Sequence, residues 1–360
     1  MSNPASGNPC VGIIANPVSA RDVRRVIANA STLQLTDRVN IILRALAALR
    51  ALGVRQVLMM PDKVGISSLL LRGLARERTL GNAMPDVAFL TMEITSSAED
   101  TRCAVRLMRA AGVCSILVLG GDGTHRAVVR ELYLGSTADA PRIPIAGLST
   151  GTNNAFPEMR ESTVTALAVG LHATGRIPAE RALAGNKLLE IDVNGGAIRD
   201  IAIVDAAVAF DRFIGARAMW KPDNLHSLFL AFGEPTAVGL SAIGGLLQPV
   251  SPRAPGGLAI RFGDGRAGSA GAIELTVPFA PGLIRSVQIA AWTAIEAGQA
   301  LPVDLPGGSM ALDGERELVF AEGDAVTVTL RENAFPTVDV PGCLHFAAQH
   351  GLFRHPATSQ

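Results

Sequence analysis

The first half of the chain alternates between short apolar runs and helical segments, and this alternation most constrains its fold. The connections between the runs are too long for hairpins, so we predict a parallel sheet covered by helices on both faces. The clearest helix is Ser97–Gly112, in which Val105, Met108 and Ala111 lie on one face. Five apolar runs have the length of buried strands: Val11–Ala15, Gln56–Met60, Val87–Leu90, Ile116–Leu119 and Pro144–Leu148.

The pattern changes after about residue 185 to short apolar segments separated by glycine, proline and Asp-Gly turns, which is typical of antiparallel β structure. One predicted strand of this half is Ile201–Ala209. We therefore predict a doubly wound α/β domain over residues 1–185 and a β-rich, sandwich-like antiparallel domain over 186–346. For the tail 347–360, packing back onto the first domain stays open.

Composition excludes several classes of protein. The 360 residues carry a formal net charge of zero and only 4% aromatic residues, which argues against nucleic acid as a partner. The four scattered cysteines support neither a zinc site nor a disulfide framework. We find no signal peptide at the start and no apolar run long enough to span a membrane. We therefore expect a cytoplasmic protein that does not act on membranes.

The sequence Gly120-Gly121-Asp122-Gly123-Thr124 joins a predicted strand to a predicted helix. Glycines in such a turn free the backbone for unusual φ and for close approach of an anion, and the helix start offers amides to a phosphate. An aspartate there fits a base for a hydroxyl or a ligand for a cation that bridges phosphates. The alternative is a plain turn in which Asp122 caps the helix. Neither the dinucleotide fingerprint nor the P-loop pattern occurs.

This loop resembles the signature of the ATP-NAD kinase and diacylglycerol kinase superfamily. Three further segments are similar to motifs of that superfamily and follow in its order: Asn16-Pro17-Val18-Ser19-Ala20, Ser149-Thr150-Gly151-Thr152-Asn153-Asn154 and Leu312-Asp313-Gly314-Glu315. Ala20 replaces a glycine of the family pattern, and His125 replaces an aliphatic residue. The whole sequence looks most like the AcoX group, found alongside acetoin-catabolism enzymes, and this resemblance implies an NAD kinase-like fold.

The resemblance also implies roles for individual residues. Asp122 would be essential for phosphoryl transfer, and Asp313 and Glu315 would be catalytic or cation-coordinating. The predicted phosphate- and nucleotide-binding residues are Asn16, Ser19, Arg21, Gly120, Gly121, Gly123, Thr124, Thr150, Gly151, Thr152, Asn153 and Asn154. Asparagine turns and hydroxyl caps remain structural alternatives for several of them. A packing or surface role is the prediction for His125, and no metal ligand set is assigned.

The predicted activity is transfer of a phosphoryl group from ATP or polyphosphate, with Mg²⁺, to a hydroxyl of NAD or a related small molecule, linked to acetoin catabolism. Two alternatives stay open. One is a lipid or polyol kinase, indicated by the Asp-Gly-Glu turn. The other is a nucleotide-binding sensor or accessory protein without turnover. The resemblance further implies a homodimer or homotetramer.

Overall fold

The computed structural model describes residues 8–16, 34–135, 142–150, 154–156, 159–211, 222–263, 273–314 and 316–354. The strands are β1 Cys10–Ala15, β2 Gln56–Met59, β3 Asp86–Phe89, β4 Ser115–Gly120, β5 Ile145–Ser149, β6 Leu183–Val193, β7 Ile198–Ala202, β8 Asp205–Ala209, β9 Leu225–Leu230, β10 Gly257–Phe262, β11 Ile273–Ala280, β12 Leu283–Ile295, β13 Ala300–Pro302, β14 Gly308–Leu312, β15 Arg316–Phe320 and β16 Val326–Val338. The α-helices are α1 Leu35–Ala51, α2 Ile66–Thr79, α3 Ala98–Ala110, α4 Asp122–Leu134, α5 Ser162–Ala173, α6 Ala179–Ala182, α7 Leu240–Leu247 and α8 Val340–Gln349.

The first sheet has the strand order β3-β2-β1-β4-β5-β16-β6-β7, with β13 paired to β16. Strands β1 to β5 are parallel, as predicted, and helices connect them. The order reverses between β1 and β4, because the chain returns from the β3 edge to pair β4 with β1. In an open parallel sheet the crevice at such a reversal, beyond the carboxyl ends of the strands, is where ligands bind.

Helix α3 shows how the sequence fixes these elements. The Ser97 hydroxyl caps its start by accepting from the Glu99 amide, and Gly112, at φ +70°, follows its end. Ala104, Val105 and Met108 are fully buried against the sheet. Each large apolar side chain buried in this way contributes about 1.5–3 kcal/mol to folding. The predicted helix is therefore confirmed, and burial of its apolar face is what stabilises it.

The second sheet is antiparallel throughout, with the order β11-β12-β10-β9-β8-β14-β15. This confirms the predicted change to β structure. The prediction of one strand over Ile201–Ala209 is wrong, because β7 ends in the first sheet and β8 begins in the second. Between them, the amides of Ile203 and Val204 donate to the Asp313 carboxylate, so this bend is bonded to a turn of the second sheet.

The end of the chain returns to the first sheet. Strand β16 pairs antiparallel with β6, and Thr337 pairs in parallel with Ile145 of β5. Helix α8 then packs against α5 and α6, where Cys343 and Ala347 are fully buried. The domain limits at residues 185 and 346 stay a prediction. No helix among the residues that the structure describes is long and apolar enough to cross a membrane.

Candidate active site

The loop between β4 and α4 lies at the carboxyl end of the sheet, next to the reversal in strand order. Gly120 is the last residue of β4, Gly121 is the N-cap of α4, and Asp122 is its first residue. Gly121 has φ −93°, so the expected unusual φ is wrong there. Crowding is what requires the glycines. A Cβ on Gly120 would lie 2.5 Å from Cβ of Thr124, and one on Gly121 would lie 2.8 Å from Oδ1 of Asn154.

The Asp122 carboxylate ties this loop to the segment that follows β5. Its Oδ2 accepts a hydrogen bond from the Ala155 amide, and its Oδ1 accepts one from the Phe156 amide, each at 2.9 Å. Helix α4 has no side-chain cap hydrogen bond, because its N-cap residue is glycine. The alternative in which Asp122 serves as the N-cap of α4 is therefore not what the structure shows. The first turn of α4 keeps the positive end of the helix dipole, which favours an anion.

The loop after β5 lies against the same site. The Thr150 amide donates to the Gly120 carbonyl at 3.4 Å, and Asn154 Nδ2 donates to the Ser149 hydroxyl at 2.9 Å. Thr150 itself is buried. The structure thus brings Thr150 and Asn154 to the β4–α4 loop. The predicted binding residues Gly151, Thr152 and Asn153 lie outside the described residues.

On the other side of the reversal, Asn16 follows β1 directly. Its carbonyl accepts a hydrogen bond of 2.7 Å from Nη1 of Arg38, whose side chain is buried in α1. The predicted residues Ser19 and Arg21 lie outside the described residues. Sequence reasoning missed Arg38. One sequence signal could have found it: Arg38 has helical spacing to the apolar residues Ile42 and Leu49. This spacing places Arg38 on the side of α1 that packs against the core.

Asp313 reaches the site region from the second half of the chain. It forms the turn between β14 and β15, at φ +51°, and Gly314 follows it. Its carboxylate is fully buried and accepts the amides of Ile203, Val204 and Asp205 at 2.8–3.1 Å. Burial, with a smaller contribution from the charge of Asp122, raises the pKa of Asp313 to about 7, although the Arg126 cation and the amide hydrogen bonds oppose the shift. Glu315 lies outside the described residues.

Arg126 forms ion pairs with both Asp313 and Asp200. It lies in the second turn of α4, with Nε 3.8 Å from Oδ2 of Asp313 and Nη1 3.4 Å from Oδ1 of Asp200. Arg130, one turn further along, donates from Nε to the same Asp200 oxygen at 2.9 Å. Asp200, on β7, is buried. These ion pairs fix the helix that begins with Asp122 to strands from the second half of the chain.

His125 has no exposed surface. Its Nδ1 lies 2.8 Å from the Gly121 carbonyl, to which it donates, and its ring packs against Phe156 with centroids 5.7 Å apart. Burial lowers the pKa of His125 to about 4, although the carbonyls of Gly121 and Val118 oppose this shift. The ring is therefore neutral near pH 7 and packs between the loop and the segment that Asp122 holds.

The carboxylates of this region do not form a metal centre by themselves. Among the residues that the structure describes, no group of three or more histidine, cysteine, aspartate or glutamate side chains is placed to hold a metal ion. Mg²⁺ in nucleotide sites needs only one or two protein carboxylates, because phosphates and water supply its other ligands. Asp122 beside a helix start fits that requirement.

Two family models and one curated relative match this chain. Residues 11–177 match the family model described as ATP-NAD kinase N-terminal domain, and residues 187–333 match the one described as Acetoin catabolism protein X C-terminal domain. The chain is 54% identical over 349 residues to Acetoin catabolism protein X of Cupriavidus necator strain H16, across 96% of this chain and 94% of that protein.

The solved structures that align with this chain have little sequence in common with it. A diacylglycerol kinase from Bacillus anthracis str. Sterne is 11% identical, with a TM-score of 0.44 over 92% of this chain and 96% of that chain. A putative diacylglycerol kinase from the same strain is also 11% identical, with a TM-score of 0.46 over 92% and 98% of the two chains.

Proposed function

We propose that this chain, which belongs to the acetoin catabolism protein X family, is a phosphotransferase that moves a phosphoryl group from ATP or polyphosphate to a hydroxyl of a small molecule. The observation that carries the proposal is the β4–α4 loop. Close contacts leave no room for a side chain at Gly120 and Gly121, and the start of α4 has no side-chain cap. Asp122 lies beside them at the reversal of the sheet.

The loop would bind the phosphates of the donor. A helix start with a glycine N-cap presents amide hydrogens and the positive end of the dipole to an anion. Thr124, Thr150 and Asn154 lie around the same loop and would add hydroxyl and amide groups. Phosphoryl transfer depends mainly on such positioning and on electrostatic stabilisation, with little covalent chemistry from the protein.

Asp122 would act on the acceptor side. Its carboxylate is held by two main-chain amides, so its orientation is fixed before a substrate binds. In this position it would accept the proton of the attacking hydroxyl, or hold Mg²⁺ together with the donor phosphates. Bound Mg²⁺ supplies charge neutralisation on those phosphates. Asp313 is fully buried, so we assign it a positioning role that acts on α4 through Arg126.

For the acceptor we propose NAD or a related hydroxyl-bearing molecule, and for the biological role a link to acetoin catabolism. Support for NAD comes from the match of residues 11–177 to an ATP-NAD kinase domain. The name of the relative from Cupriavidus necator supports the link to acetoin. We also propose a homodimer or homotetramer.

A nucleotide-binding protein without turnover is the second candidate. One observation favours it: both carboxylate oxygens of Asp122 already accept main-chain hydrogen bonds, which weakens the carboxylate as a base. Such a protein would bind ATP with the same loop and release it unchanged.

The experiment is a product analysis by mass spectrometry. Purified protein receives Mg²⁺, ATP or polyphosphate as donor, and one candidate acceptor in each reaction. The candidate acceptors are NAD, sugars, polyols and diacylglycerol. We expect a new phosphorylated product with the wild type and none with Asp122→Ala. ATP binding by calorimetry without any product across the panel would instead support the second candidate.

A further inference from the structure

A cavity of ≈ 290 Å³ lies between the two halves of the chain. Its first wall is formed by β5 at Ala146 and Gly147 and by the segment Ala155–Phe156. The opposite wall comes from the second half, with Phe232, Glu234 and the segment 251–253. Strand β16 and the start of α8 close it from the side, at residues 337–340.

This cavity adjoins the proposed active site. The Ala155 and Phe156 amides donate to the Asp122 carboxylate, while the same two residues line the cavity. The cavity and the Asp122 carboxylate therefore share the segment Ala155–Phe156. The position fits an acceptor better than a phosphate donor, because the helix start that attracts phosphates is on the β4–α4 loop.

Hydrogen bonds within the protein hold the cavity wall that comes from the second half of the chain. Lys187 is buried and donates from Nζ to the carbonyls of Ser251, Ala254 and Gly256 at 3.2, 2.7 and 2.7 Å. The Gly256 amide donates to Glu332 at 2.8 Å. The segment 251–256 is thus fixed by these four hydrogen bonds, so the cavity is preformed, as small-molecule sites usually are.

Its charged groups balance each other. Arg253 binds the Asp339 carboxylate through both terminal nitrogens at 3.1 and 3.3 Å, and the Arg160 cation also acts on Asp339, which lowers its pKa. Glu234 is the fourth charged group of the lining. Two cations and two anions leave no net charge to attract an ionic ligand, while they offer hydrogen-bond donors and acceptors above an apolar floor that includes Phe156 and Phe232.

We propose that this cavity binds a small uncharged polyol, which serves as the acceptor of the transferred phosphoryl group. Hydroxyl groups both donate and accept, as the mixed lining requires. The volume of ≈ 290 Å³ is just below the roughly 300–1,000 Å³ of small-molecule sites. A whole dinucleotide does not fit, so the cavity favours a smaller hydroxyl-bearing acceptor over NAD. The identification of the polyol as an acceptor rests on the proposed function, whereas its binding does not.

The test measures binding in the absence of ATP, by saturation-transfer NMR and calorimetry on the full chain. The probes are D-sorbitol and D-gluconate, which share a polyol chain and differ by one carboxylate. We expect saturable binding of sorbitol, with gluconate weaker by about tenfold or more, because the lining carries no net positive charge to offset the burial of the gluconate carboxylate. Ser251→Trp fills the cavity mouth and abolishes sorbitol binding, whereas Ser286→Trp, on the exposed face of β12, leaves it unchanged.

A second pair of variants covers the case in which the tryptophan disturbs folding. Arg253→Ala removes a polar group of the lining and weakens sorbitol binding by about tenfold, the loss expected for one hydrogen-bonding partner. Arg261→Ala, which breaks a similar exposed ion pair with Asp304 at 3.1 Å, leaves binding unchanged.

Absence of saturable sorbitol binding by the folded wild type, or binding that Ser251→Trp and Arg253→Ala leave intact, overturns the proposal. Sorbitol binding that depends on the cavity, without a phosphorylated product, upholds the binding site and counts against the proposed phosphotransferase. Conversely, phosphorylation of NAD that Ser251→Trp leaves intact, without any sorbitol binding, overturns the cavity assignment and leaves the phosphotransferase in place.

Discussion

Arg126 and Asp313 form a buried ion pair that joins the two halves of the chain, with Nε of the arginine 3.8 Å from Oδ2 of the aspartate. Their side chains are 8% and 0% exposed. Arg126 belongs to the helix that Asp122 begins, and Asp313 belongs to a turn of the second sheet. The placement of the β4–α4 loop therefore depends on a contact far away along the sequence.

The first prediction concerns this pair. Arg126→Met keeps an extended side chain but removes the cation between Asp313 and Asp200. At pH 8 the Asp313 carboxyl, with a pKa of about 7, is charged, and loss of its cation costs about 3–5 kcal/mol because a buried charge is left uncompensated. We expect a loss of that size in the free energy of unfolding measured in urea.

The matched control is Arg44→Met, which breaks the pair between Arg44 and Glu161 at 2.7 Å, where both side chains are about half exposed. Exposed pairs contribute at most about 1 kcal/mol. Equal losses for the two variants would contradict a structural role of the Arg126 contacts.

The second prediction concerns Gly120. In Gly120→Ala the new Cβ would meet Cβ of Thr124 at 2.5 Å, so the start of α4 must shift. We expect a loss of about 1–3 kcal/mol in unfolding free energy, as for other overpacked sites, together with weaker ATP binding. In the Gly120→Ala background, Thr124→Gly should relieve the clash more than Thr124→Ala, because alanine retains the Cβ atom. Each rescue is measured against the same Thr124 variant of the wild type, because glycine alone destabilises a helix by about 1 kcal/mol relative to alanine. The opposite order of rescue in denaturation and calorimetry would show that this contact is not the cause.

The third prediction concerns pH. The pKa of His125 falls from 6.5 to about 4 on folding, because the buried ring resists protonation. Between these values the unfolded chain binds the extra proton, so the ring contributes stability that is present above pH 6.5 and lost as pH falls toward 4. His125→Leu removes this dependence. We expect the wild type to lose more unfolding free energy than the variant between pH 7 and pH 4, while exposed His345→Leu behaves like the wild type. Parallel pH profiles of wild type and His125→Leu would be inconsistent with a buried neutral ring.

The sequence predicts the order and type of the elements in the first half well, since each depends on local signals. Ser97 and Gly112 bound α3, and the apolar runs become β1 to β5. It does not predict that β16, β6 and β7 extend the parallel sheet, because strand pairing between distant segments leaves no local trace.

Some residues of the site could be predicted from the sequence, and others could not. Asp122, Thr150 and Asn154 lie together because neighbouring parallel strands end at one edge of the sheet. Arg38, Arg126 and Asp200 escaped sequence reasoning, since a charged residue on a helix or strand usually faces solvent. Their burial depends on partners that only the folded chain brings near.

In the proposed function, Asp122 promotes phosphoryl transfer from the β4–α4 loop. The measurement that tests it most directly is the rate at which the labelled γ-phosphoryl group of ATP moves to an acceptor, with Asp122→Asn beside the wild type. Asn keeps the size of the side chain and removes its charge. We predict a rate lower by about 10²–10⁴-fold, the range for loss of a general base, while Asp86→Asn at an exposed site of β3 keeps the wild-type rate. Transfer by Asp122→Asn at the wild-type rate would contradict the account.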